Sequence, residues 1–201
     1  MKTVGVLIYP QFEPLDAFGP VEAFAIAETP DAGADAPPPF RIVTLAESLE
    51  PVAMRGGPRV LPDLDLASAP ALDVLLVPGG PGSRREVRNP ALLGFLRRQA
   101  GQAQVIASVC TGAALLGVAG LLSGREATTN RRAFDWVIST CPGDVRWNRT
   151  ARWVDQGPIV TSAGVSAGTD MALHLVARLL GSAAAEAAAK RMEHRWERTG
   201  A

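Results

Sequence analysis

Ser108-Val109-Cys110-Thr111-Gly112 sets a thiol between small neighbours, at the end of an apolar run and just ahead of an Ala/Leu-rich helical pattern. Small-x-nucleophile-x-Gly is the form of a nucleophile elbow, in which the nucleophile sits on a sharp, strained turn from strand to helix. The sulfur of such a turn lies at the positive end of a helix, where unpaired backbone N–H groups stabilise a thiolate. The competing reading is a small buried core residue, the fate of most free cysteines. The elbow context favours the nucleophile.

Two further segments supply groups that such a thiol would need. Gly79-Gly80 follows the apolar run 72–77. It reads either as a plain tight turn, which glycine makes at no steric cost, or as a pair of backbone N–H groups open to a ligand, as in an oxyanion hole. Asp16 stands at or just inside the start of a helical pattern, 15–27. There it either caps free N–H groups or faces Cys110. In the second case thiol and carboxyl share a proton and the carboxyl pKa rises, because adjacent anions disfavour each other. A carboxyl in that state is a general acid near neutral pH. Glu13 is the rival carboxylate. The two histidines, His174 and His194, fall in a mainly apolar helix and a charged terminal helix. Both read as structural or solvated, so a Cys-His-Asp triad finds little support. Cys141, beside Pro142-Gly143, reads as structural; with no CxxC and no nearby histidine, neither a disulfide framework nor a metal site is expected.

The elements that must position these groups follow from apolar patterning. Strands are predicted at 3–9, 40–45, 72–77 and 104–109, a short β excursion over 52–62, a brief strand at 125–128 and a hairpin of 152–154 with 159–162. Helices are predicted at 15–27, 90–99, 111–119, 131–139, 166–180 and 183–198, and a loop at 30–39. Apolar strands alternating with amphipathic helices imply a mostly parallel sheet covered on both faces. Ligands of such α/β sheets bind at the carboxyl ends of strands near a topological switch point. Tyr9-Pro10, Pro78-Gly79-Gly80, Cys110 and Ser162-Ala163-Gly164 mark that rim. Side chains of Phe12, Phe18 and 130–136 are expected to wall the pocket.

The 201 residues suit one domain, 1–201, with the terminal helix 183–198 as an appendage. Lys+Arg and Asp+Glu are 20 each, a balance that argues against a nucleic-acid or anionic-membrane partner. With no secretory signal at the start and no apolar run of membrane-span length, the expected compartment is the reducing cytoplasm.

Taken together, Asp16-x-x-Gly19-Pro20, Val77-Pro78-Gly79-Gly80, Ser108-Val109-Cys110-Thr111-Gly112, Ala127-Thr128-Thr129 and the segment from Ser162-Ala163-Gly164 to Asp170 resemble the ThiJ/PfpI superfamily. The resemblance runs from about Val4 to Gly181, and the Cys-Thr-Gly form with Leu15-Asp16 points to its isonitrile hydratase-like branch. It implies a flavodoxin-like α/β sandwich, usually a homodimer, acting on a small molecule with no metal and no organic cofactor. Residue by residue, Cys110 matches the nucleophile, Asp16 its acidic partner, Thr111 the residue after the nucleophile, and Gly79 and Gly80 the backbone pocket. Many relatives place His after Ala-Thr-Thr; this chain has Asn130, which hydrogen-bonds but moves no proton at neutral pH. The implied activity is hydration of an isocyanide through a cysteine thioimidate. The rivals are a ligand- or oxidant-sensing domain without turnover, and glyoxalase-type conversion of 2-oxoaldehydes. PfpI-type proteolysis usually takes a His right after the Cys, where Thr111 stands.

Overall fold

The computed structural model describes residues 1–30, 33 and 36–200. Residues 31, 32, 34 and 35 of the expected loop 30–39 therefore lie outside the described residues. The chain opens with β1 (Lys2–Leu7), α1 (Pro14–Ala25) and β2 (Phe40–Ala46). Short strands β3 (Val52–Ala53) and β4 (Arg59–Val60) pair antiparallel, and β5 (Leu64–Asp65) follows. Then come β6 (Val74–Val77), α2 (Ser83–Glu86), α3 (Pro90–Ala100), β7 (Val105–Val109) and α4 (Gly112–Val118). After β8 (Glu126–Ala127), a 3-10 turn at Arg131–Ala133 leads into α5 (Phe134–Thr140) and β9 (Arg146–Trp147). The chain finishes with β10 (Trp153–Asp155), β11 (Ile159–Ser162), α6 (Ala167–Leu180) and α7 (Ser182–Arg191).

Seven strands form one sheet in the order β10-β11-β7-β6-β1-β2-β5, parallel throughout except for the β10–β11 hairpin. Helices α1, α6 and α7 pack together on one face; α2, α3, α4 and α5 pack together on the other. This is the flavodoxin-like sandwich. Apolar strands dictate it: β6 and β7 are buried at every position, which a strand reaches only with both faces covered. Helix α3 shows the matching logic. Asn89 caps it by accepting from the N–H groups of Ala91 and Leu92, Pro90 fills the first turn, and Leu92, Leu93, Phe95, Leu96 and Gln99 line its buried face.

The chain passes from β1 to β2 on one side and later to β6 on the other, so the sheet order reverses at β1. The segments leaving β1, β6 and β7 carry Asp16, Gly79-Gly80 and Cys110. In α1, Pro20 has no N–H to return to the Asp16 carbonyl. Gly19 stands where a Cβ would lie 2.5 Å from the Thr169 hydroxyl of α6, which allows the two helices to approach closely.

Most elements match the patterning; α2, β5 and β9 escaped it because each is only two to four residues long. The terminal helix is a correction. It ends at Arg191 rather than 198, because long-range contacts draw the tail away. Glu193 turns left-handed at φ 51°. His194 Nε2 lies 2.8 Å from Asp170 Oδ1, the Glu197 N–H donates to the same oxygen, and the Trp196 indole donates to the Asp170 carbonyl. Asp170 is 1% exposed and also pairs with Arg152. Arg152 N–H in turn donates to the Gly200 carbonyl, so the tail straps the β10 edge of the sheet.

Candidate functional site

Cys110 is the first residue after β7, and its φ of 58° is left-handed. An L-residue there costs on the order of 1–2 kcal/mol, so surrounding contacts must impose the conformation. They do so from three sides. The Cys110 N–H donates to the Ser162 carbonyl at 3.1 Å. Its carbonyl accepts from the Thr129 hydroxyl at 2.8 Å. Gly164, at φ 106°, lies so close that a Cβ would sit 2.6 Å from Cys110 Cβ. The elbow anticipated from Ser108-x-Cys110-x-Gly112 is present in the backbone.

Asp16 is fully buried, and it does not cap its helix. The N-terminal position belongs to Glu13, with Pro14 following. Asp16 Oδ2 accepts the Gly79 N–H at 3.0 Å, while its Oδ1 has no hydrogen-bond partner among the described residues. Desolvation lifts its pKa to about 7, opposed by the Gly79 N–H and by interaction with the Cys110 thiol; the Glu13 charge adds to the rise. Burial, reinforced by the Asp16 charge, pushes the Cys110 thiol up to about 12. The Thr111 amide and hydroxyl pull it back only in part.

Burial and the Asp16 charge thus work against the helix-stabilised thiolate expected from sequence. Helix α4 is only seven residues long, and desolvation together with a neighbouring carboxyl outweighs its dipole. Asp16 interacts with the Cys110 thiol rather than capping its helix, the second of the two arrangements raised from sequence. Glu13, the rival carboxylate, lies on the wall of the cleft that Cys110 lines and pairs with Arg55 Nη1 at 2.6 Å.

Gly79 and Gly80 need correcting as open oxyanion donors. The Gly79 N–H is taken by Asp16, and the Gly80 N–H donates to Thr111 Oγ1 at 3.0 Å. Close packing explains the glycine at 79: a Cβ would lie 2.5 Å from the Thr111 nitrogen and 2.9 Å from Cys110 Cβ. The Tyr9 hydroxyl donates to the Pro78 carbonyl at 2.6 Å and braces this turn from below. Thr111 is the junction. Its hydroxyl takes hydrogen bonds from the Gly80 N–H and the Ser83 hydroxyl, at 3.0 Å each.

Cys110, 7% exposed, opens into a cleft of about 320 Å³ shared with Gly80, Thr111, Asn130 and Val165. Asn130 caps the 3-10 turn: its Oδ1 accepts from the N–H groups of Arg132 and Ala133, at 3.0 and 3.2 Å. Phe12 does not wall the cleft. It is fully buried and packs edge-on to Phe18 at 6.0 Å. The walls are instead polar, with Glu13, Arg55, Arg84 and Arg132. Helix α2, the β3–β4 hairpin and the 3-10 turn bring these arginines together. A larger cleft of about 830 Å³ beside Ile8, Glu47 and Arg85 holds neither Cys110 nor Asn130. Size alone would therefore mislead.

The remaining titratable groups are structural. His174 Nε2 lies 2.7 Å from Asp155 Oδ2, which Arg178 also contacts, and His194 belongs to the strap. Cys141 packs against Gly117, and burial pushes its thiol up to about 12. Among the described residues, no group of three or more His, Cys, Asp or Glu side chains could hold a metal, and no helix is long and apolar enough to cross a membrane.

The sequence is 34% identical over 191 residues to an isonitrile hydratase of Pseudomonas putida, covering 95% of this chain and 78% of that one. It is 29% identical over 163 residues to the HTH-type transcriptional regulator GbdR of Pseudomonas aeruginosa, covering 69% of this chain and 44% of the regulator. The crystal structure of a ThiJ/PfpI family protein from Pseudomonas syringae superposes with a TM-score of 0.85 at 30% identity, covering 98% of this chain and 76% of that one. The profile of the DJ-1/PfpI family matches residues 2–178, and the chain belongs to that family.

Proposed function

We propose that this protein hydrates small isocyanides to N-formamides, with Cys110 as nucleophile and Asp16 as the proton carrier. The observation that supports this reading best is the buried thiol–carboxyl pair, with an unpartnered Asp16 Oδ1 and a carboxyl pKa near neutral, about 7. As an acid and a base at one pH, such a carboxyl serves both halves of the reaction. In the first half, the Asp16 carboxylate takes the thiol proton as sulfur bonds to the terminal isocyanide carbon. The protonated carboxyl then delivers that proton to the same carbon, leaving a thioimidate, R–N=CH–S–Cys110. In the second half, water adds to this carbon and a proton passes to nitrogen. Collapse of the tetrahedral adduct expels the thiolate, releases R–NH–CHO and returns one proton to the pair. The net change is isocyanide plus water to formamide.

A thiol whose pKa burial raises, and which gives up its proton as it attacks, suits an electrophile that must also receive a proton. It is a poor first target for peroxide, which prefers thiolates, and this weighs against the oxidant-sensing alternative. The similarity to the Pseudomonas putida isonitrile hydratase supports the same choice. Turnover of a small alkyl isocyanide, read by formamide release, is the test. Cys110→Ala should abolish it and Asp16→Asn should cut it by about two orders of magnitude or more. Wild-type rates in Cys110→Ala would end the proposal.

A further inference from the structure

The cleft above Cys110 carries charge that the thiol–carboxyl pair does not use. Three arginines line it, Arg55, Arg84 and Arg132, against one acidic wall residue, Glu13. Glu13 and Arg55 cancel each other in their 2.6 Å ion pair. Arg84 and Arg132 have no carboxylate partner among the described residues, and both are exposed. The exposed carboxylate nearest to Arg132 in sequence, Asp135, is already 2.6 Å from Arg149. Arg84 is held in place: its guanidinium lies over the Trp136 ring, 4.5 Å from the centroid, bridging α2 and α5 across the mouth. Two arginines without a carboxylate partner therefore line the cleft of about 320 Å³ that Cys110 also lines.

A guanidinium fork is suited to a carboxylate, which it binds through two parallel N–H bonds. A narrow cleft lined with one sign of charge also raises the local concentration of ligands of the other sign. We propose that the substrate is a small isocyanide bearing a carboxylate, which Arg84 and Arg132 hold while its terminal carbon meets Cys110. The inference rests on the cysteine chemistry proposed above and names its substrate class.

Two measurements separate the inference from that chemistry. The first alkylates Cys110 at pH 9 with iodoacetate and iodoacetamide, on a Cys141→Ser background, with the rate ratio normalised to N-acetylcysteine. These probes share size and reaction and differ in charge. At low salt the ratio should exceed that of the free thiol by about tenfold, and Arg84→Gln or Arg132→Gln should each lower it about threefold, the scale of one partly exposed ion pair. Arg132→Lys should keep only part of the preference, because lysine retains the charge and loses the fork, and 0.5 M NaCl should weaken it by screening. A ratio equal to the free thiol's, or one that neither glutamine variant changes, would overturn the anion site.

The second measurement compares hydration of isocyanoacetate with that of its methyl ester. A higher kcat/KM for the acid, lost in the double glutamine variant, supports the substrate class. Equal rates on both would overturn it while leaving hydration standing. Charge-selective alkylation with hydration of neither compound would keep the anion site and remove the isocyanide.

Discussion

Replacing Asp16 by asparagine keeps the shape of the carboxyl and removes its charge. Asp16 is 0% exposed, and burial raises its pKa from 3.8 to about 7. A raised folded-state value means that the native protein holds this proton more tightly than the unfolded chain does. The associated stability is complete below pH 3.8 and is lost as the pH rises through about 7. At about 1.4 kcal/mol per pH unit, the loss comes to about 4 kcal/mol once the pH is above both values. Asparagine has no charge to bury, and its Oδ1 can still accept the Gly79 N–H that Asp16 accepts now. Asp16→Asn should therefore recover most of the loss, about 3 kcal/mol, which for a chain of this size is a Tm gain of roughly 6–12 °C. Thermal unfolding by circular dichroism should show a gap near zero at pH 4 that widens to a plateau above pH 8. The same change leaves the burial of Cys110 in place and removes the Asp16 charge that adds to its raised pKa. Alkylation of Cys110 at pH 8.5 should accelerate even as isocyanide turnover collapses. A pH-independent gap, or a variant less stable than wild type at pH 9, would refute the burial argument.

Two other substitutions probe the scaffold. In Gly164→Ala, a methyl group must enter a left-handed position at φ 106°, 2.6 Å from Cys110 Cβ. It should lower stability by about 2 kcal/mol or more and displace the elbow, and turnover that stays at wild-type level would show that the elbow geometry is dispensable. Asp170→Ala strips Arg152, His194 and the Glu197 N–H of their shared acceptor. A cost of about 3 kcal/mol is expected, and limited trypsin digestion should now cut at Arg195 and Arg198 while the rest of the chain stays intact. A tail as resistant as in wild type would mean that the strap does not depend on Asp170.

Local chemistry made much of this protein readable from its sequence. The runs at 74–77 and 105–109 can satisfy their apolar side chains only as central strands, and the small residues around Cys110 admit the sharp turn that an elbow needs. The facing of Asp16 and Cys110 was legible as one of two readings, because a carboxylate at a helix start can either cap it or turn to a neighbouring site. What escaped depended on partners far along the chain. Whether Gly79 and Gly80 present free N–H groups turned on Asp16 and Thr111, which are 63 and 31 residues away. The end of α7 turned on Asp170, whose buried charge gathers Arg152, His194 and the Glu197 N–H. The sign of the Cys110 shift turned on how completely the fold desolvates it, which neighbouring residues do not encode. The arginine-lined mouth is the clearest case. Arg55, Arg84 and Arg132 sit on short, polar segments with no periodicity to mark them, and they converge because β3–β4, α2 and the 3-10 turn all meet at the rim where the sheet order reverses. Sequence determined the strand-and-elbow framework through short-range sterics and burial. Only the tertiary structure decided the charge it surrounds, because desolvation and Coulomb forces act between residues that the chain keeps apart.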